Sequence, residues 1–146
     1  MNAKTTKHLF SRETAVSVDI DASAAAVFAL LTDAAGYPTW SSTVLSIEGK
    51  IAAGQKIRLR STLAPERTFS LTVRELVAPT RLVWGDAMSR RTYTVEEQPS
   101  GAVRFSMHEK IGGPLFPLFA RMIPPFDESF DRFAADLKRR AERGDA

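Results

Sequence analysis

The sequence predicts an α+β domain: a curved seven-stranded antiparallel sheet around a long C-terminal helix, with two short helices after strand 1. Three observations carry this expectation. Strand-like alternation at Thr14–Ile20 is followed, between Thr43 and Ile111, by six more alternating segments divided by turn signals. The connections between those six are too short for parallel crossovers, so neighbours must run antiparallel. The chain then changes period, and Leu115, Phe119, Met122, Phe126, Phe130, Phe133 and Leu137 recur every three or four residues. A sheet with one apolar face and a helix with one apolar face bury both by packing together.

Each element has its own signal. In Thr14–Ile20, Val16, Val18 and Ile20 share one face and Ala15, Ser17 and Asp19 the other. Asp21 and Ser23 offer capping oxygens for a helix over Ala24–Leu31, whose stripe is Val27, Phe28, Leu30 and Leu31. A second short helix starts near Asp33 and is expected to end by Tyr37, because a residue before proline is pushed out of the α region. Strands follow at Val44–Ile47 (broken at Gly49), Lys56–Ser61, Phe69–Arg74, Arg81–Gly85, Arg91–Glu97 and Val103–Ile111. Pro99-Ser100-Gly101 marks the last hairpin. Pro124-Pro125 interrupts the C-terminal stripe, since an interior proline costs a helix ~3 kcal/mol or more. The expectation is a short helix to about Met122 and a main helix from about Phe126 to Glu142.

Composition narrows the function classes. With 146 residues, 44% hydrophobic and 25% charged, the chain suits one globular domain. No apolar run approaches the roughly 20 residues of a membrane span, so no transmembrane segment is expected. Met1–Arg12 lacks the apolar block of a secretory signal. The absence of cysteine removes disulfides, thiolate metal sites and cysteine nucleophiles, and fits a cytoplasmic protein. The net charge of +3 is scattered, apart from Lys138, Arg139, Arg140 and Arg143, where a helix C-terminus favours cations. No basic stretch interleaves with aromatics, so no nucleic-acid partner is expected.

Val27-Phe28-Ala29-Leu30-Leu31-Thr32-Asp33 and Tyr37-Pro38-Thr39-Trp40-Ser41 resemble the SRPBCC (START, polyketide cyclase and birch-allergen) superfamily. More narrowly, the chain resembles the bacterial polyketide cyclase/dehydrase and lipid-transport family. Gly54-Gln55, Arg81-Leu82-Val83-Trp84, Val103–Gly113 and Phe133-Ala134-Ala135-Asp136-Leu137-Lys138 match in register. The resemblance implies a helix-grip fold over residues 12–142, with 1–11 a loosely ordered N-terminal segment, and a cavity between sheet and helix. Relatives often carry Thr-His-x-Glu in the last strand. Here Met107 takes the histidine position, Glu109 keeps the acid, and His108 falls on the opposite face.

The candidate ligand-binding residues are Trp40, Phe69, Leu71, Trp84, Tyr93, Phe105, Met107, Glu109, Phe119, Met122, Phe126 and Phe130. An apolar pocket with few polar anchors suits a small hydrophobic or aromatic molecule. Phe105 and Met107 would be its floor, Met122–Phe130 its lid and Trp40 its rim. Counting by twos from Val103 turns Glu109 inward, with Arg91, Tyr93 and Val95 on one face of the neighbouring strand. A buried carboxylate must be paired or neutral, so Glu109 is an arginine's partner, a polar anchor or a general base. Arg60 and Arg91 are further anchors near the mouth. His8 and His108 lack acidic partners at ligand spacing, so no metal and no cofactor are expected. Asp136 and Arg140, four apart, read as a surface pair, and Glu13 and Asp131 as surface charge.

The leading expectation is binding or carriage of a small hydrophobic ligand, without catalysis, by a monomer or homodimer. One alternative is a cyclase/dehydratase-type enzyme moving protons with the candidate catalytic residues Glu109 or Tyr93. A second is a protein-interaction module of the same fold, which needs a large exposed apolar patch outside the pocket.

Overall fold

Eight strands form one antiparallel sheet in the order β1-β2-β8-β7-β6-β5-β4-β3 in a computed structural model describing residues 2–144. The strands are β1 (Lys4–Lys7), β2 (Ser11–Ile20), β3 (Val44–Glu48), β4 (Lys56–Ser61), β5 (Phe69–Val77), β6 (Arg81–Gly85), β7 (Ser89–Glu97) and β8 (Val103–Gly112). The helices are α1 (Ala24–Thr32), α2 (Tyr37–Trp40), α3 (Phe116–Phe119) and α4 (Asp127–Glu142), with 3₁₀ turns at Ala34–Gly36 and Ala120–Met122. Register shifts at Val44/Ser46 and Val73/Glu75 bend β3 and β5, and so help the sheet curl. Gly49, at φ +104°, makes the β3 exit turn, where a Cβ would lie 2.8 Å from the Lys56 carbonyl oxygen.

Seven of the strands match the sequence pattern. The eighth, β1, falls where a loose segment was expected. Lys4-Thr5-Thr6-Lys7 has no apolar alternation, so its order comes from pairing with β2 and from α4. Ala3 N donates to Asp131 Oδ1 at 2.8 Å, and the Thr5 hydroxyl donates to Asp127. Asp131 is therefore a tether rather than free surface charge.

The α1 cap is Ser23, whose Oγ accepts from Ala26 N. The next helix departs from expectation. It begins, rather than ends, at Tyr37, whose φ and ψ of −52° and −45° are helical despite Pro38. Tyr37 is fully buried, donates through its hydroxyl to Leu31 O at 2.6 Å and packs on Trp40 and Phe133. Those contacts override the local bias, and Pro38 in the first turn costs no helical hydrogen bond.

Helix α4 lies across the concave face, with Phe130, Phe133, Ala134, Leu137 and Ala141 buried against it. It runs from the end of the sheet holding the β1–β2 and β6–β7 turns to the end holding the β2 exit. There Lys138 Nζ donates to Asp19 O, and Asp21 N donates to Glu142. Its C-terminal half also holds the start of β3. Asp136, buried, accepts from Ser42 N and Ser42 Oγ at 2.7 Å each, and its ion-pair partner is Arg139 at 3.3 Å, not Arg140.

Candidate functional site

The concave face of β2, β8 and β7 is built in rows set by register. Val18, Phe105 and Val95 form one row, and Val16, Met107 and Tyr93 the next. The following row is Thr14, Glu109 and Arg91. The inward surface thus turns from hydrocarbon to polar toward the end where α4 begins. Arg12, one step further along β2, is also buried.

Glu109 and Arg91 are direct cross-strand partners, joined by Arg91 Nε donating to Glu109 Oε1 at 2.6 Å. Their side chains are only 10% and 17% exposed. Burial works against the Arg91 charge, but Glu109 outweighs it and raises the guanidinium pKa. Above them Phe126 and Phe130 stack, with centroids 5.9 Å apart and planes 9° from parallel. Arg12 lies 4.7 Å from the Phe126 centroid and Arg91 5.1 Å from that of Phe130, so two cations cap the two rings. Arg12 also donates to Ile123 O at 3.2 Å and Pro124 O at 2.8 Å, which ties the linker before α4 to the sheet. Burial lowers the Arg12 pKa, while Glu109 and Asp127 favour its charge.

Phe133 is the hub of the interior. Its ring lies 5.4 Å from Trp40, 5.8 Å from Tyr93 and 6.1 Å from Phe105, and Tyr93 lies 5.1 Å from Trp84. These rings meet one another between the sheet and α4, where the pocket was expected. Among the described residues, three buried side-chain polar atoms make no well-aligned hydrogen bond: Tyr93 Oη, Trp40 Nε1 and Arg12 Nε. Burial raises the Tyr93 pKa, with Arg91 opposing.

Of the predicted lining residues, Trp84, Tyr93, Phe105, Met107, Glu109, Phe126 and Phe130 all lie buried in this interior, and Leu71 lies in the same core. Two predicted lining residues lie elsewhere. Met122 is 82% exposed and Phe119 packs edge-on to Phe116 in α3, because the linker is not one continuous helix and its stripe loses phase. Phe69 is partly buried against the same core, with Arg67 over its ring. Trp40 packs on Phe133, midway along α4, and so does not border the linker. Arg60 is exposed and donates to Pro65 O. Arg12 and Thr14 were overlooked, although counting by twos back from Val16 points both inward.

His8 and His108 do have an acidic partner. Glu13 bridges them, at 3.0 Å to His8 Nε2 and 2.8 Å to His108 Nε2, and these bonds hold its carboxyl below the usual range. Among the described residues, no three His, Asp or Glu side chains converge as a metal site.

Two surface grooves lie at the end where α4 begins. One, of about 630 Å³, runs between the β1–β2 turn and the linker and is lined by Leu9, Arg12, Phe116, Arg121, Ile123 and Asp127 among others. The other, of about 550 Å³, lies beneath Phe10 and Met88. Among the described residues, no helix is long and apolar enough to cross a membrane.

A curled antiparallel sheet gripping a C-terminal helix, with polar anchors at one end of an aromatic interior, defines the helix-grip class of ligand-binding domains. Residues 11–142 match the model of the family described as polyketide cyclase / dehydrase and lipid transport, and the chain belongs to that family, within the SRPBCC superfamily. Among solved structures, a START superfamily protein from Mycobacterium smegmatis is 15% identical with a TM-score of 0.64, over 90% of this chain and 97% of that one. A protein from Mesorhizobium loti is 18% identical with a TM-score of 0.71, over 92% and 100%. A protein of the dynemicin biosynthetic locus is 17% identical with a TM-score of 0.66, over 90% of this chain and 48% of that one. At these identities the likeness concerns the fold alone. No curated protein matches the chain.

Proposed function

We propose that the domain binds and carries a small hydrophobic or aromatic molecule between the sheet and α4. The observation that carries this reading is Tyr93 Oη, buried among rings beside the Arg91–Glu109 pair, with Arg91 close by but no well-aligned hydrogen bond made. An unpaired buried hydroxyl costs ~1–3 kcal/mol, and a ligand oxygen placed there removes that cost. Phe105, Met107 and Phe130 supply apolar area, worth ~25 cal/mol per Å² removed from water. The state described is closed, and the linker around Pro124 is the segment that moves to admit the ligand. The cysteine-free chain suits the cytoplasm, and a cytoplasmic site of action is part of the proposal.

Proton transfer by Glu109 or Tyr93, as in a cyclase, has weaker support. A carboxylate bonded to a guanidinium at 2.6 Å is a poor base, and a phenol whose pKa is raised is a poor acid.

The test is displacement of a lipophilic fluorescent dye by a panel of aromatic and aliphatic molecules, with native mass spectrometry of protein from its own host. Phe130→Arg is expected to abolish binding or folding, and Tyr93→Phe to weaken binding of oxygen-bearing ligands in a folded protein. If no dye binds and nothing co-purifies, the proposal falls.

A further inference from the structure

The end of the molecule that carries the linker is also its most apolar exposed surface. Among the described residues, six of the eight large hydrophobics that stand exposed lie there: Leu9, Phe10, Met88, Leu115, Leu118 and Met122. Leu9 and Phe10 form the β1–β2 turn, Met88 the β6–β7 turn, and the other three belong to the segment around α3. Backbone bonds gather these turns: Gly113 N donates to Phe10 O, and Gly112 N to Met88 O. Leu118 and Met122 are 80% and 82% exposed, so they contribute almost nothing to the core.

Cations frame this surface. The residues lining the two grooves include six Lys and Arg against two Asp, an excess of four, whereas the entire chain carries +3. Arg12 is committed to the linker carbonyls, and Arg90 shares Glu75. Lys7, Arg74, Lys110 and Arg121 make no ion pair among the described residues. Lys7 stands two residues before Leu9 in the chain, and Arg121 beside Met122.

We propose that this end docks on an anionic membrane surface. Apolar tips on several separate turns suit a fluid interface, which each tip can enter independently to ~5–10 Å. The flanking lysines and arginines would rest among anionic headgroups. The charge excess selects this occupant over a second copy of the chain, which would bring like charge to like charge.

The experiment is co-sedimentation of the full chain with vesicles of phosphatidylcholine alone and of phosphatidylcholine with about one-third phosphatidylserine. Binding is expected to the mixed vesicles, to weaken with salt and to be far weaker on the neutral ones. Leu118→Asp with Met122→Asp should reduce it to background, and Lys7→Gln or Arg121→Gln about fivefold each. Val77, exposed at the opposite end of the sheet, supplies the control: Val77→Asp should bind as the parent does. Circular dichroism checks that each variant is folded. Absence of binding to mixed vesicles, or equal loss in Val77→Asp, overturns the proposal. So does a dimer in solution that Leu118→Asp and Met122→Asp dissociate while vesicles go unbound, since the face would then be a self-interface.

Discussion

Replacing Glu109 by leucine would leave the Arg91 guanidinium buried without its counter-charge. The two side chains are 17% and 10% exposed and meet at 2.6 Å, so solvent screens them little. With charge centres ~4 Å apart and an effective dielectric constant of ~20, their attraction is ~4 kcal/mol. Phe130 and residual solvent take up part of the loss, so Glu109→Leu should cost ~2–4 kcal/mol. That is a large fraction of the ~5–15 kcal/mol that holds an ordinary domain folded. Removing both charges is different, because each ion also carries a desolvation penalty. Arg91→Leu with Glu109→Leu should lie within ~1 kcal/mol of the parent. Urea unfolding of the parent, both single variants and the double variant gives the coupling energy, provided that the m-value is constant. A single-variant cost below ~0.5 kcal/mol, or a double variant equal to the sum of the singles, would refute a paired, buried role for Glu109.

Tyr93→Phe deletes a buried hydroxyl that makes no well-aligned hydrogen bond, so the unfolding free energy from urea titration should hold or rise, by up to ~1 kcal/mol, rather than fall. The Glu13 carboxyl is held low by its bonds to His108 and His8, so the stability it contributes is present above its ordinary pKa. That contribution is lost as pH falls through the lowered value; melting temperatures of Glu13→Gln should decline less than the parent's below about pH 4.5. Arg12→Met removes both bonds to the linker and should increase hydrogen exchange around Ile123 and the rate of dye uptake, leaving exchange in β3–β6 unchanged. Equal protection in the two proteins would show that Arg12 is no latch.

How legible the site was depended on the element. Period-two counting located Phe105, Met107, Glu109, Arg91 and Tyr93 on the concave face, because a strand has one phase and Val103 sets it. The same rule carried two places past Thr14 would have reached Arg12. The linker defeated period counting for a physical reason. Four helical residues, a 3₁₀ turn and an extended Ile123 cannot share one 3.6-residue phase, so Met122 and Leu115 face solvent although they fit the stripe. Strand β1 had no signal in its own residues, since its order comes from Asp127, Asp131 and the edge of β2. The closed interior was equally invisible, because a list of inward rings does not say whether they meet or stand apart.

The proline pair that breaks the C-terminal stripe builds the polar end of the site. In an unbroken helix, Ile123 O and Pro124 O would accept from amides four residues on. With the helix starting at Asp127, both carbonyls lie outside it and are free to accept from Arg12. Those bonds hold the guanidinium over Phe126, which stacks on Phe130, which in turn lies under Arg91. Glu109 then faces Arg91 directly and attracts Arg12 from further off. The break therefore brings the Arg12 guanidinium and the stacked rings over the Arg91–Glu109 pair that the β7–β8 register sets at one end of an otherwise apolar interior. It also makes their cover a short linker, held to the sheet by the Arg12 bonds and by the buried Phe116 and Phe126, rather than a helix packed along its length. On the proposed function, this linker is the part of the cover that opens at lower cost than α4, which buries Phe130, Phe133, Ala134, Leu137 and Ala141 along its length.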